Sequence, residues 1–218
     1  MNPDLASYLI DVIGACLLIS MIVILEAGDL HRAIYTMGVQ SVLIASAGAV
    51  LASATGNLDL WVIAGLTLAV KVFALPWLLL YVIRRMRINR RIEAIIPVTV
   101  TLAVAAAIVM LTFYLASSLG SVRQVITGNA LPIGISLMLI GILVMMSRRK
   151  ALMQMVGLFA SENGIFFTAM AVSQGMPLII EIGITLDVIL GALVMGVIML
   201  RVKSTIGSDI ADLSELKG

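Results

Sequence analysis

The chain has 218 residues, of which 61% are hydrophobic and only 12% charged, about half the charged share of an ordinary soluble domain at roughly 25%. That excess of apolar residues excludes a soluble globule and predicts a polytopic membrane protein. One cysteine, Cys16, and one histidine, His31, are too few for a zinc site, an iron–sulfur ligand set or a haem pocket, so no cofactor and no metal site are expected. The net charge of +2 gives no support to nucleic-acid binding.

Apolar runs separated by polar punctuation predict seven spans, at 8–25, 32–53, 60–83, 95–118, 129–146, 149–172 and 178–200. Each is close to the length of about 20 residues that an α-helix needs to cross a hydrocarbon core of ~30 Å. The first run contains Cys16, expected to be a buried thiol acting as a small hydrophobe. Asp11 and Glu26 fall near the ends of that span, where solvated side chains are expected. After the third run comes a basic cluster, Arg84, Arg85, Arg87, Arg90 and Arg91; after the fifth come Arg148, Arg149 and Lys150; after the seventh come Arg201, Lys203 and Lys217.

Threading the chain through seven spans puts these groups and Arg32 on one face, leaving out only Arg123 and Lys71 of the fourteen basic residues. The positive-inside rule then predicts an N-terminus outside and a cytoplasmic C-terminus. Tyr8, Trp61 and Tyr114 fall near the outer interface, Tyr35 and Tyr81 near the inner one, as amphipathic rings do at water boundaries. The N-terminus has no basic n-region and carries Asp4 and Asp11, so no cleaved signal peptide is expected.

An offset of 118 residues aligns Gly65, Thr67, Leu68, Val70, Ala74 and Leu75 with Gly183, Thr185, Leu186, Val188, Ala192 and Leu193, without a gap. Ala33, Met37 and Arg32 match Ala151, Met155 and Lys150 in the same register. The expected organisation is a three-helix repeat over 1–92, a linking helix over 93–122, a second three-helix repeat over 123–203 and a cytoplasmic tail over 204–218. Four crossings separate the starts of the two copies, so both enter the membrane from the same side. The fold class is thus an all-α integral membrane protein, with seven helices as two parallel three-helix repeats plus a linking helix.

Charges inside spans are costly, about 2.5 to 3.5 kcal/mol near the bilayer centre on insertion scales, and they face bundle interiors or water-filled paths. Glu162, Asp187 and Lys71 each lie twelve or thirteen residues from the cytoplasmic ends of their predicted helices, a depth of roughly 18 to 20 Å. A shared depth on three helices fits a lateral row of titratable groups. Glu181 lies nearer the outer end, as an entrance, a branch or a plain interfacial carboxylate. The alternative is interhelical glue, in which a carboxylate and a lysine simply neutralise each other. Two carboxylates and one lysine, however, leave one formal charge that a proton would balance. Gly164 near Glu162 and Pro76 five residues after Lys71 suggest irregular helices beside these charges, although a glycine there also permits close helix packing.

The second half resembles subunit K of respiratory complex I (NADH dehydrogenase subunit 4L). The likeness runs through Arg148, Arg149, Gly157, Leu158, Asn163, Asp187 and Gly191 to the tail residues Asp212, Ser214, Glu215, Lys217 and Gly218. Asp187 falls where that family has its third-helix glutamate; Glu162 lies one turn beyond the position of the second-helix one. At this length, with the duplicated unit, the chain is most similar to component E of hydrogenase-4, found in formate hydrogenlyase-type membrane-bound hydrogenases.

The resemblance implies a non-catalytic subunit of a complex I-related redox complex in a prokaryotic cytoplasmic (cell inner) membrane. Its implied partners are antiporter-like and other membrane subunits, peripheral iron–sulfur and hydrogenase subunits, and the lipid bilayer. Glu162 and Asp187 would relay protons or electrostatic state along the coupling axis, with Lys71 as a positive neighbour whose distance governs their protonation. Two other readings stay open: a subunit K-like component of a multisubunit cation/proton antiporter, and a free-standing small transporter.

Overall fold

The computed structural model describes residues 3–56, 58–85, 92, 94–118, 129–173 and 191. The chain divides into two compact units, Met1–Pro177 and Leu178–Gly218, and the helices below belong to the first. They are α1 (Pro3–Glu26), α2 (Leu30–Thr55), α3 (Leu58–Thr67), a π-helical segment (Leu68–Ala74), α4 (Leu75–Arg85), α5 (Val98–Ser118), α6 (Ala130–Ser147) and α7 (Ala151–Ser173). No strand is present among the described residues. Among the described residues five helices are long and apolar enough to cross a membrane: α1, α2, the continuous rod running from α3 into α4, α5 and α6. An all-helical fold with several long apolar helices is compatible with an all-α membrane protein.

Each of the first five predicted spans overlaps one of these helices, with ends displaced by a few residues. The sixth, 149–172, coincides with the 23-residue α7. Apart from Gly191, the seventh, 178–200, lies outside the described residues, as do Asp187, Glu181, the cytoplasmic tail and most of the basic cluster after α4. Tyr8, Trp61, Tyr114, Tyr35 and Tyr81 are all exposed on the bundle surface, and Tyr81 stacks on Trp77 with ring centroids 5.8 Å apart.

Two kinds of contact hold the bundle. The antiparallel pair α6 and α7 packs backbone against backbone, because glycines repeat every seven residues on both helices: Gly134 and Gly141 on α6, Gly157 and Gly164 on α7. A seven-residue repeat keeps small residues on one seam of a left-handed helix pair. A Cβ on Gly141 would stand 2.5 Å from the Ser161 nitrogen, and one on Gly164 would stand 2.6 Å from the Gly134 carbonyl oxygen. Across the same seam Ser161 donates to the Met138 carbonyl at 3.0 Å. Gly164 therefore serves close packing, and α7 runs through it as unbroken helix.

Elsewhere, apolar side chains interlock. Leu17, Met21, Ile24 and Leu25 of α1 and Leu30, Ile34, Met37 and Ile44 of α2 are fully buried. Cys16 is off this stripe: its thiol is free and exposed on the outer flank of α1, contrary to the expectation of burial. α5 buries only Thr101, Ala105 and Thr112; the Thr112 and Ser136 hydroxyls meet at 2.6 Å and tie it to α6. α2 stops at Gly56, whose φ of 70° is the left-handed conformation that glycine adopts without steric cost, with its N–H on the Ala52 carbonyl.

One end of the bundle is closed by the connections. The Ile92 N–H donates to the Gly28 carbonyl and the Ile95 N–H to the Ser147 carbonyl, while the buried Arg148 guanidinium donates to the Leu25 carbonyl in the last turn of α1. A cation there satisfies a carbonyl that the helix leaves without an internal partner and complements the negative end of its dipole. Burial lowers the Arg148 pKa from the usual arginine value, yet guanidinium remains charged at any physiological pH. Arg148→Met should lower unfolding free energy by about 1.5 to 3 kcal/mol, the scale of a hydrogen bond to a charged group. Thermal melting of the purified protein in detergent checks this.

Candidate functional site

The rod from α3 to α4 changes helical register for seven residues around Lys71. Pro76 explains why: it has no N–H for the carbonyl one turn back, and its ring clashes with the preceding turn of an α-helix. The chain widens instead, and the Leu75 N–H reaches five residues back to the Val70 carbonyl. π-helical turns within α-helices recur at functional sites, and this one carries the only charged side chain of its segment, Lys71.

Lys71 is 3% exposed and pairs through Nζ with Oε1 of Glu162, whose side chain is 19% exposed. Its ammonium also lies 5.6 Å from the centroid of the Phe166 ring, a cation–π distance. Glu162 and Phe166 are one turn apart on α7, so both face the widened rod. The expected row of three charges is thereby described for two of its members, on two different helices. Asp187 and Glu181 fall outside the described residues.

In a low-dielectric interior an ammonium and a carboxylate held together offset part of the cost of burying each. Neither group is then left as an isolated buried charge. Pairing of this kind can both hold helices together and hand on a proton.

Further buried polar side chains flank the pair. Asn163, next to Glu162, is 1% exposed, and neither its Oδ1 nor its Nδ2 has a hydrogen-bond partner. Thr67, one turn before Lys71, is also 1% exposed with its hydroxyl unpartnered. Sequence reasoning passed over Thr67 and Phe166 as site residues; their signal was the four-residue spacing from Lys71 and from Glu162. Asp11, expected to be solvated, instead accepts a hydrogen bond from the Asn129 amide at 3.2 Å, while its second oxygen is buried without a partner. No group of three or more His, Cys, Asp or Glu side chains able to hold a metal ion occurs among the described residues.

Over 212 residues, 97% of this chain and 96% of the relative, the sequence is 26% identical to the uncharacterized protein Rv0085 of Mycobacterium tuberculosis. It is 28% identical to hydrogenase-4 component E of Escherichia coli K12 over 149 residues, 68% of this chain and 69% of that protein. The same identity and coverage hold for hydrogenase-4 component E of Shigella flexneri. No family model matches the chain, and no solved structure matches it.

Proposed function

We propose that this chain is a membrane subunit of a complex I-related, hydrogenase-type redox complex, and that it supplies part of the intramembrane path for protons or ions. The observation that carries the reading is the buried Lys71–Glu162 pair at a π-helical break. A bundle that needed only glue would hold together with the glycine seam and apolar packing already described. An ionisable pair sealed in a membrane helix bundle marks an ion or proton route more often than a brace. In this reading Glu162, Lys71, Asp187 and Glu181 form the path, and the chain carries no electrons. The complex lies in the prokaryotic cytoplasmic membrane with the C-terminus of this chain inside.

The same reading includes two parallel three-helix repeats. It is supported by the Asp11–Asn129 hydrogen bond, whose partners are 118 residues apart, the offset of the sequence repeat.

Two experiments test the proposal. Tagged chain extracted in mild detergent should co-purify with antiporter-like subunits and with iron–sulfur and hydrogenase subunits. Antiporter-like subunits alone would replace the proposal with the cation/proton antiporter, and a lone monomer or homo-oligomer would replace it with a free-standing transporter. In the assembled complex, Glu162→Gln and Asp187→Asn should leave the subunit composition intact. Each should slow ion translocation by roughly 10²-fold, the scale of losing a positioned proton-transfer group. Full pumping by the double variant would remove the relay.

A further inference from the structure

We infer that Phe166 is a positioning residue: its ring keeps the Lys71 ammonium in place while Glu162 carries a proton, so that the ion pair re-forms when the proton leaves. The role in a proton cycle rests on the relay reading above; the hold of the ring on the ammonium does not.

Two side chains of one helix hold the same cation. Nζ of Lys71 pairs with the Glu162 carboxylate and stands over the Phe166 ring, 5.6 Å from its centroid. Glu162 and Phe166 are four residues apart on α7, so they share a face. Their attractions differ in kind. That of the carboxylate is between formal charges, and it weakens once a proton from a neighbouring member of the path binds Glu162 and makes it a neutral acid. That of the ring comes from the fixed negative face of its π-system, which no proton alters. Such an attraction is strongest where water is excluded, and both Lys71 and Phe166 are buried.

A buried ammonium whose carboxylate partner is neutralised becomes costly to keep in place, and the four-carbon stem of lysine is flexible enough to draw it away. Lys71 would then be out of reach when the proton passes on to the next group and the Glu162 carboxylate returns. A ring on the helix that carries Glu162 prevents this, because it holds the ammonium beside the carboxyl group in both states. Packing alone would need only the volume of the side chain. The two roles therefore separate on the electron density of the ring, at constant size.

Phenylalanines carrying one, two and three ring fluorines at position 166 provide the test, since each fluorine drains the negative face with little change in volume. Unfolding equilibria of the purified chain are measured along this series in three backgrounds. In wild type the unfolding constant should rise in steps, by about tenfold at three fluorines. In Glu162→Gln, a neutral stand-in for the protonated acid, the rise should be steeper, and in Lys71→Met/Glu162→Leu, which has no cation to hold, it should vanish. A series that is flat in wild type, or no steeper in Glu162→Gln, would overturn the inference. In the assembled complex the three-fluorine ring should slow ion translocation about tenfold with subunit composition unchanged, whereas Phe166→Tyr, which keeps a ring face, should stay near wild type. Unchanged translocation with three fluorines would overturn the role in the cycle. If Glu162→Gln leaves pumping intact, the relay itself fails, and the unfolding series still decides whether the ring holds the ammonium.

Discussion

Lys71→Met should destabilise the isolated protein by about 3 to 5 kcal/mol, the cost of stripping one partner from a buried ion pair. The loss is large because the remaining Glu162 carboxylate is four-fifths buried and must either stay charged in an apolar setting or take up a proton. The double variant Lys71→Met/Glu162→Leu should recover most of that loss, since well-packed apolar replacements of buried pairs are often neutral or better. Unfolding equilibria of wild type, both single variants and the double variant give the coupling directly as a cycle. Function separates from stability here. A recovered double variant that still fails to translocate ions assigns the pair to transport, whereas one that pumps normally assigns it to bracing.

A second large loss is expected at Gly141→Val. Its Cβ would fall 2.5 to 2.6 Å from the nitrogen, Cα and Cβ of Ser161, backbone of a helix that has no slack to withdraw, because Gly157 and Gly164 hold the same seam about one turn away on either side. Overpacking of a well-filled interior costs typically 1–3 kcal/mol and occasionally more, and here α6 and α7 would separate along their length. Loss of the Ser161 hydrogen bond to Met138 follows. The expected result is failure to accumulate in the membrane, read by immunoblot against Leu66→Val, a change on an exposed part of α3 that should be silent.

How far the sequence carried these conclusions depends on which physical signal each needed. Helix positions were legible because a span must be apolar over its whole length, and α1, α2, α5 and α6 lie where the runs predict. Burial was not legible for the same reason: a helix apolar on every side carries no contrast between the face toward protein and the face toward lipid. Cys16 was misplaced on that account. Depth could be counted from charge to span end, which put Lys71 and Glu162 at one level. Azimuth could not, because the π turn alters the rotation per residue around Lys71. Pro76 announced a disturbance, but proline permits a kink, a break or a widened turn, and only the fold selects among them. The glycine seam was present in the letters as 134, 141, 157 and 164 without naming its partner.

The free thiol of Cys16 makes the molecule its own reporter. It is the sole cysteine of the chain and lies exposed within an apolar helix, so a maleimide spin label or fluorophore attaches at one place without prior mutagenesis. On the isolated protein that label samples acyl chains; in an assembled particle its accessibility to lipid-soluble oxygen measures whether a neighbouring subunit covers this flank of α1.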